Sequence, residues 1–450
     1  MLSRRKFLGM AGGVGAAGAA GAGAWAALVR DHAEQAVADR DASTSTNASP
    51  DAAASPSTTL AASTKRVLVV LQLAGGNDGL NTLVPADGRY RDARPTLAIN
   101  PATVVPINAS GYGLHPGLAP IAALFNGGQM AALEAIGLAE QSRSHFKAMD
   151  TWWSATAGAS ETGWLGRWLD LTEEKSPNPL RAIALGSGSP ALVGKSALPT
   201  VVLQPAQFAL RATAGCDAKQ LTEALLTTSR PLSTSQIFAA AQQAFPDAVK
   251  AIELLQKVRT QASSVPAGEA GERVDASGAP ATTAPANRTF GANSATGLLQ
   301  SAAGIIELDI GTRVILVSVN GFDTHANQPT RHGDLLEDVG SGIASFMSRI
   351  ERAGKANEVL LITTSEFGRR VAENASSGTD HGLAGVQFMF GRGVNGGKIV
   401  GDLNLAALKD GDVPLSLDTR SLYAASLDWL GGADTNRILG TSYDRLGLLK

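Results

Sequence analysis

The chain has 450 residues, of which 44 % are hydrophobic and 17 % are charged, and its formal net charge is −2. Such a chain can bury a large core, and the lack of a Lys/Arg cluster outside the N-terminus excludes a nucleic-acid-binding surface. A single cysteine, Cys216, excludes an internal disulfide and any metal site that needs several thiolates.

The N-terminus carries a targeting pattern. Arg4 and Arg5 precede a weakly apolar, Ala/Gly-rich run, and the pair resembles a twin-arginine export signal. We therefore expect residues 1–30 to be a signal peptide bound by the twin-arginine translocase. The mature protein would then be periplasmic or extracellular, with no stable transmembrane span. An uncleaved, anchored form is the alternative, although Gly and Ala supply little apolar surface for a membrane span.

Two segments have too few large apolar side chains to become ordered on their own. Residues 31–64 are rich in Ala, Ser, Thr, Asp and Pro, which predicts a disordered tether. Residues 261–297 have a similar composition and predict a long surface loop. This loop would interrupt a single folded domain that spans 65–450.

The first buried strand is predicted at 67–73, where β-branched residues and Leu follow one another before the sequence GGNDG. A strand that is apolar on both faces suits the centre of a parallel sheet. Because ligands of such sheets collect at the carboxyl ends of the strands, Asp78 is a candidate catalytic or ligand carboxylate. In the alternative interpretation Asp78 caps the following turn.

A second candidate region follows a predicted short helix at 116–125 and a predicted strand at 130–136. It contains Ser142, Arg143 and Ser144, just before another predicted helix. A serine at such a junction faces the helix N-terminus, where backbone N–H groups stabilise anions. A metal could activate it for attack on a phosphorus or sulfur ester. A routine helix N-cap is the alternative.

Two later strands follow the same pattern as the first. Residues 312–328 contain a buried strand that ends before Asp323 and His325, and residues 357–370 contain another that ends before Glu366. The residues between them have an apolar period of 3.6, which predicts a helix. Strand, helix and strand then form a βαβ unit, which brings both strand ends to one edge of the sheet.

A glycine-flanked loop, GTDHG at 378–382, would bring a further histidine to this edge. Crowded carboxylates repel one another unless a cation lies among them, and oxygen and imidazole ligands without thiolates suit Zn²⁺ or Mn²⁺. We expect one or two divalent ions at a site built from Asp78, Asp323, His325, Glu366 and His381. In the alternative, Asp380 caps a helix and His381 is a surface side chain.

Together these stretches resemble the alkaline phosphatase/sulfatase superfamily, and more closely its twin-arginine-exported branch, the DUF1501 family. The resemblance runs from about 66 to 445 and depends on the sequences LAGGNDGLNTLVP, LHPGLAPIAAL, SRSHF, GWLGR, GFDTHANQ, TTSEFGR and TDHG. It implies an α/β fold of the alkaline phosphatase kind, a three-layer αβα sandwich around a mostly parallel sheet.

The superfamily pattern implies two metal ions. Asp78 and Glu366 would share one ion with the serine nucleophile, and the other three predicted ligands would hold the second. The chain departs from the pattern because Phe367 stands where a histidine ligand is usual and Glu366 replaces an aspartate. The Asp-x-His spacing at 323–325 is also shorter than usual. No Cys-x-Pro-Ser-Arg motif is present, which excludes the formylglycine sulfatase mechanism.

The resemblance implies an exported, metal-dependent hydrolase that acts on phosphate or sulfate esters of a small molecule or polymer. Ser144 or Ser142 would attack the ester, and Arg143 or Arg369 would bind its charged oxygens. The first alternative is a non-catalytic, cell-envelope binding protein that keeps the fold and a residual metal. A second alternative is metal-dependent processing of a carbohydrate or polymer without ester hydrolysis.

Overall fold

The computed structural model describes residues 65–139, 142–156, 160–172, 178–203, 223, 249 and 290–450. All of them belong to one compact unit. Four predicted features lie outside the described residues: the signal peptide at 1–30, the tether at 31–64, most of the loop at 261–297, and Cys216. These features stay predictions.

The described residues form twelve strands in two sheets. The central sheet contains β1 (Val67–Ala74), β5 (Met130–Gly137), β6 (Ala182–Leu185), β7 (Thr200–Val202), β8 (Val314–Asn320), β9 (Val359–Thr364), β10 (Gly385–Phe390), β11 (Lys398–Val400) and β12 (Leu417–Asp418). The small sheet contains β2 (Leu83–Pro85), β3 (Val105–Pro106) and β4 (Tyr112–Leu114).

Helices connect and cover these strands. The α-helices of the described part are α1 (Gly79–Thr82), α2 (Gly88–Ala93), α3 (Ala122–Asn126), α4 (His145–Ser154), α5 (Trp164–Leu171), α6 (Ala295–Glu307), α7 (Gln328–Arg352), α8 (Thr419–Leu430) and α9 (Thr435–Leu439). Two 3₁₀ helices cover Pro116–Ile121 and Pro190–Leu192.

The central sheet has the strand order β11-β5-β10-β9-β1-β8-β6-β7, and β12 also pairs with β5. Of its described strands, β10 alone runs antiparallel to its neighbours. The prediction of a mostly parallel sheet is therefore confirmed. Strand β1 lies between β8 and β9, with Gln72 beside Ser318 on one side and Thr364 on the other. The carboxyl ends of these three strands consequently share one edge of the sheet.

Two apolar cores lie on opposite faces of the sheet, because successive side chains of a strand point to opposite sides. Val69 and Leu71 of β1 belong to the core that α6 and α7 complete. Leu68 and Val70 belong to the other core, to which α4, α5 and α8 contribute. Each such fully buried side chain stabilises the fold by about 1.5–3 kcal/mol. Helices on both faces confirm the three-layer αβα architecture.

The elements predicted from the sequence are present, with three shifted boundaries. The helix predicted at 116–125 is a 3₁₀ helix followed by α3. Pro120 lies in the 3₁₀ helix, two residues before α3 begins. The helix between β8 and β9 is α7, which starts one residue before Pro329, as suits a proline in the first turn. Helix α6 begins at Ala295, inside the loop predicted to end at 297, because Ser294 caps it.

Of the helices that the structure describes, none combines the length and the apolar composition that crossing a bilayer requires.

Candidate metal centre

The site forms where β1 and β8 end side by side. Gly75 follows β1 with a φ of +125°, and a Cβ atom on it would lie 2.3 Å from the backbone nitrogen of Asp323. A glycine is therefore required for the two strand ends to approach so closely. Phe322 is fully buried beneath these two strand ends, while the Asp323 carboxylate beside it is 45 % exposed. The turn thus presents one carboxylate at the edge of the sheet.

Three histidines surround that carboxylate. The Nε2 atoms of His325 and His381 each lie 3.1 Å from Asp323 Oδ1, and Nε2 of His145 lies 3.5 Å from Oδ2. The two Nε2 atoms of His325 and His381 are 2.8 Å apart. We call Asp323, His145, His325 and His381 the histidine–aspartate centre. The structure therefore brings together three of the predicted ligands and adds one that was not predicted.

The spacing of most of these atoms would allow them to hold a metal ion. One group of His, Cys, Asp and Glu side chains in the described part of the chain has this property, namely His145, Asp323 and His381, whose ligand atoms all lie within 4.8 Å of one another. Imidazole nitrogens with one carboxylate are a donor set that Zn²⁺ and related divalent ions prefer. The residues present therefore fit a divalent cation, although they do not identify the metal.

The opposite ring nitrogen of each histidine also has an oxygen partner. Nδ1 of His145 lies 2.9 Å from Glu366 Oε1, and Nδ1 of His325 lies 3.2 Å from Asp380 Oδ1. Nδ1 of His381 lies 2.7 Å from the backbone carbonyl oxygen of Arg143. Glu366 is itself anchored, since its Oε1 accepts a hydrogen bond from the backbone N–H of Gly75 at 2.8 Å. The hydrogen bond between His145 and Glu366 raises the pKa of His145.

Arg369 fixes the loops beneath the centre. Its fully buried guanidinium donates to the carbonyl oxygens of Gly75, Gly76, Phe322 and Thr379, and at 2.7 Å to Asp323 Oδ1. One side chain therefore ties the ends of β1 and β8 to the GTDHG loop. Burial raises the pKa of Asp323, but Arg369, by hydrogen bond and charge, and the neighbouring imidazoles together outweigh it and lower that pKa to about 2. Asp323 is thus an anion at neutral pH.

Phe367 lies beneath the imidazole rings. Its side chain is buried, and its ring centroid is 4.9 Å from that of His145 and 4.6 Å from that of His381. It therefore limits how far either ring can tilt into the protein. The position where the superfamily pattern has a ligand is here a packing residue.

Asp78, the fourth predicted ligand, lies in a different environment. It is completely buried, its Oδ2 accepts from Arg94 at 2.6 Å and from Gln328, and its Oδ1 accepts from the backbone N–H of Asn81. Burial raises the pKa of Asp78, but the charge and hydrogen bonds of its partners, Arg94 first among them, together outweigh it and lower that pKa. The capping alternative is therefore realised, and both oxygens have partners within the protein. The structure does not bring Asp78 to the histidine–aspartate centre.

Glu366, the fifth predicted ligand, contacts the centre through His145. Its carboxylate is buried and is held by Gly75 and His145, with the Ser365 hydroxyl 3.4 Å from Oε2. It therefore holds a ligand in place instead of facing an ion directly.

The predicted catalytic residues lie next to His145. Ser144 is the N-cap residue of α4, is exposed, and makes no side-chain capping hydrogen bond. The hydroxyl of Ser142 accepts from the backbone N–H of Ser144 at 3.2 Å. The guanidinium of Arg143 forms an ion pair with the fully buried Asp412, which Arg370 also approaches, at 3.6 Å. Ser144 thus occupies the N-cap position of the alternative without the side-chain hydrogen bond that a routine cap makes.

Sequence reasoning missed one ligand and three supporting partners. His145 stands in SRSHF, and its position at the start of an amphipathic helix after a strand was the signal that could have identified it. Asp380, in the GTDHG loop, was considered only as a helix cap. Arg94 and Asp412 carry no local signal, because each meets its partner only in the folded chain.

The comparisons with known proteins give a family and several similar folds. The family model described as "Protein of unknown function (DUF1501)" matches residues 142–446, which include all four residues of the centre. None of the curated proteins matches the chain.

Three solved structures illustrate the similarity of fold. A protein in the alkaline phosphatase superfamily from Vibrio parahaemolyticus is 8 % identical, with a TM-score of 0.38 over 84 % of this chain and 69 % of that one. The PsFucS1 sulfatase from Pseudoalteromonas sp. is 11 % identical, with a TM-score of 0.36 over 86 % and 72 %. The phosphonate monoester hydrolase SpPMH from Silicibacter pomeroyi is 9 % identical, with a TM-score of 0.32 over 84 % and 78 %. Since every score is below 0.5, the fold assignment rests on the sheet order and layers.

Proposed function

The chain belongs to the DUF1501 family, and we propose that it is a metal-dependent hydrolase of phosphate or sulfate esters. The observation that carries this proposal is the convergence of three imidazole nitrogens on the Asp323 carboxylate, at 3.1, 3.1 and 3.5 Å. A divalent ion bound by these groups would supply a Lewis acid for an anionic ester oxygen. Substrate binding and nucleophilic attack would be carried out by side chains of this chain.

Two arginines beside the centre support an anionic substrate. The guanidinium groups of Arg143 and Arg370 both face the carboxylate of Asp412, and the charge of Arg370 also lowers the pKa of Asp380. Their side chains are 43 % and 35 % exposed, whereas Asp412 is buried. Phosphate and sulfate oxygens accept charge-assisted hydrogen bonds from such groups. Arg369, the other predicted anion-binding residue, is fully buried and has its donors engaged by the loops.

Ser144 is the nucleophile in this proposal. It is exposed at the N-terminus of α4, where helix N–H groups favour an anion, and it directly precedes His145. Its Oγ would bond to phosphorus or sulfur and lose its proton to solvent, while the bond to the leaving oxygen breaks and that oxygen takes up a proton. A water molecule would then release the acid and restore the serine hydroxyl. Ser142 would support the loop through its bond to Ser144.

Hydrolysis of p-nitrophenyl phosphate and p-nitrophenyl sulfate tests the proposal. We expect the metal-loaded protein to hydrolyse at least one of them, and Asp323→Ala and His381→Ala to reduce the rate to that of the blank. Ser144→Ala should also lose turnover while it keeps the ion, because Ser144 is not a ligand. Asp92→Ala, which removes an exposed carboxylate from α2, is the matched control and should match the parent.

Two outcomes would contradict the proposal. Full activity in Asp323→Ala would show that the centre is not the reacting site. A parent protein that binds an ion and hydrolyses neither ester, nor a phosphonate monoester, would favour the non-catalytic binding protein.

We also propose that the protein is exported through the twin-arginine translocase to the periplasm or beyond. The support is the pair Arg4 and Arg5 before an Ala/Gly-rich run. Replacing both by lysine should retain the chain in the cytoplasm, as measured by fractionation. Unchanged export of the double variant would refute this route.

A further inference from the structure

The hydrogen-bond partners of the three histidines determine which ring nitrogen faces the centre. The carbonyl oxygen of Arg143 can only accept a hydrogen bond, so Nδ1 of His381 must carry the hydrogen. The carboxylates of Glu366 and Asp380 act as acceptors for His145 and His325 in the same way. In each neutral ring the lone pair is then on Nε2, the nitrogen that faces Asp323.

We infer that Asp323, His145, His325 and His381 bind a single divalent ion, and that Glu366 and Asp380 are positioning residues that hold the imidazoles for it. The inference rests on the proposed function only for the presence of an ion. It differs from the two-ion pattern that the resemblance implies, because it assigns neither Asp78 nor Glu366 as a ligand.

The spacing of the ligand atoms supports one ion. In a tetrahedral zinc site with bonds of about 2.0–2.1 Å, neighbouring ligand atoms are roughly 3.3 Å apart. Four of the separations in the centre are 2.8, 3.1, 3.1 and 3.5 Å. The two lone pairs of His325 and His381, which face each other at 2.8 Å, would repel unless a cation lay between them. His145, Asp323 and His381, whose ligand atoms all lie within 4.8 Å of one another, are already arranged around one position, and His325 must shift towards His145 to join them.

A second ion would need a second set of ligands. Two-ion sites keep their metals about 3.5–4 Å apart, which requires further carboxylates beside the first site. Asp78 has both oxygens occupied by Arg94, Gln328 and Asn81. Oε1 of Glu366 accepts from Gly75 and faces His145. Both predicted ligands of a second ion are thus committed to other partners.

The two positioning carboxylates should differ in how strongly they affect metal affinity. Glu366 is buried and anchored to the backbone of Gly75, so it restricts the His145 ring firmly. Asp380 is 59 % exposed and is held by a 3.1 Å bond from the Asn374 side chain, so water competes for His325. Outer partners of metal-binding histidines typically change metal affinity by about 10–100-fold. We expect the larger effect at Glu366 and the smaller at Asp380.

Titration of the purified, chelator-stripped protein with Zn²⁺, followed by calorimetry, tests the inference without any measurement of turnover. We expect one ion per chain, and the same stoichiometry with an affinity about 10–100-fold lower in Glu366→Ala. Glu366→Gln should recover part of that loss, because an amide oxygen still accepts from His145. Titration with Co²⁺ should give the visible spectrum of one four-coordinate site, altered in Glu366→Ala. The control, Glu351→Ala, changes a carboxylate that pairs with Arg392 on the surface and should match the parent.

The outcomes separate this inference from the proposed function. Two ions per chain, complete loss of binding in both Glu366 variants, or unchanged affinity in both would overturn the inference even if the protein hydrolyses esters. If Glu366→Ala fails to fold, Glu366→Gln alone decides. One ion per chain with weaker binding in the Glu366 variants, but without hydrolysis, would support the inference and contradict the proposed function.

Discussion

Asp78 and Asp323 are both aspartates that follow a buried strand, but the residues around them give them opposite roles. Asp78 is fully buried against the guanidinium of Arg94, whereas Asp323 is half-exposed among imidazole rings. A buried carboxylate is stable only while its partner remains, and an exposed one can exchange partners with an ion. The same local sequence pattern therefore produces a structural ion pair at one strand end and a candidate ligand at the next.

Replacing Arg94 by Met should destabilise the protein by about 3–5 kcal/mol, because it leaves the charge of Asp78 buried without a partner. Asp78→Asn should destabilise the protein by a similar amount, because Arg94 is then the buried charge without a partner, and it should leave the metal stoichiometry of the folded protein unchanged. Urea denaturation measures the first effect, and metal analysis of the folded variant measures the second. Loss of the ion in Asp78→Asn would show that Asp78 is a ligand after all.

The difference between these two residues also explains how much of the site the sequence could predict. Asp323, His325 and His381 stand in short motifs next to strand ends or glycines, so local pattern was sufficient. The partner of Asp78 comes from a separate helix end, and Asp412, which pairs with Arg143, is 269 positions away from it. Such long-range partners depend on the folded chain and leave no spacing in the sequence.

At the scale of elements, α7 connects β8 to β9, the two neighbours of β1 in the sheet, and packs tightly against the 3₁₀ helix Pro116–Ile121. Gly340 is the point of contact, because a Cβ atom on it would lie 2.6 Å from the carbonyl oxygen of Gly117. In the same helix, a Cβ atom on Gly333 would lie 3.7 Å from the His115 ring, which is an ordinary van der Waals distance. Two glycines in one helix thus have different reasons to be there.

Gly333→Ala should stabilise the protein by up to about 1 kcal/mol, since alanine has the higher helix propensity. Gly340→Ala should destabilise it in spite of that propensity, because the backbone of the neighbouring segment must move. Thermal unfolding of the two variants, compared with the parent, measures both. Equal stabilisation by both substitutions would show that the contact at Gly340 is not restrictive.

The long elements were predictable because their apolar periods are strong. Strands β1, β8 and β9 are buried on both faces, and α7 keeps one apolar face over most of its 25 residues. Strand β10 was not predicted, and its antiparallel direction follows from pairing with β5 and β9, not from its own six residues. Order and direction within the sheet are properties of pairing that a single segment does not encode.

At the scale of the whole molecule, two buried histidines should make the fold sensitive to acid. His332 and His115 lie outside the centre, and burial lowers their pKa values from 6.5 to about 3 and about 4. Between these values and 6.5 the unfolded chain binds protons that the folded chain does not. Stability is therefore complete above about pH 6.5 and is lost as the pH falls.

We expect the free energy of unfolding to fall between pH 6 and pH 4 by up to about 1.4 kcal/mol per pH unit for each of these groups. In His332→Gln, which can still donate to Asn77 Oδ1, the slope should be smaller by about that amount. Urea titrations in the presence of a chelator, at several pH values, measure the difference between variant and parent. Identical slopes would mean that His332 becomes protonated in the folded protein.

The central claim is that one divalent ion binds between Asp323 and the three histidines. Anomalous diffraction from crystals of the metal-loaded protein, collected at the absorption edge of the bound metal, tests it most directly. We predict a single peak per chain, about 2.0–2.2 Å from Nε2 of His145, His325 and His381 and from an Asp323 oxygen. No peak at that position, a second peak beside it, or a peak at Asp78 would contradict the account.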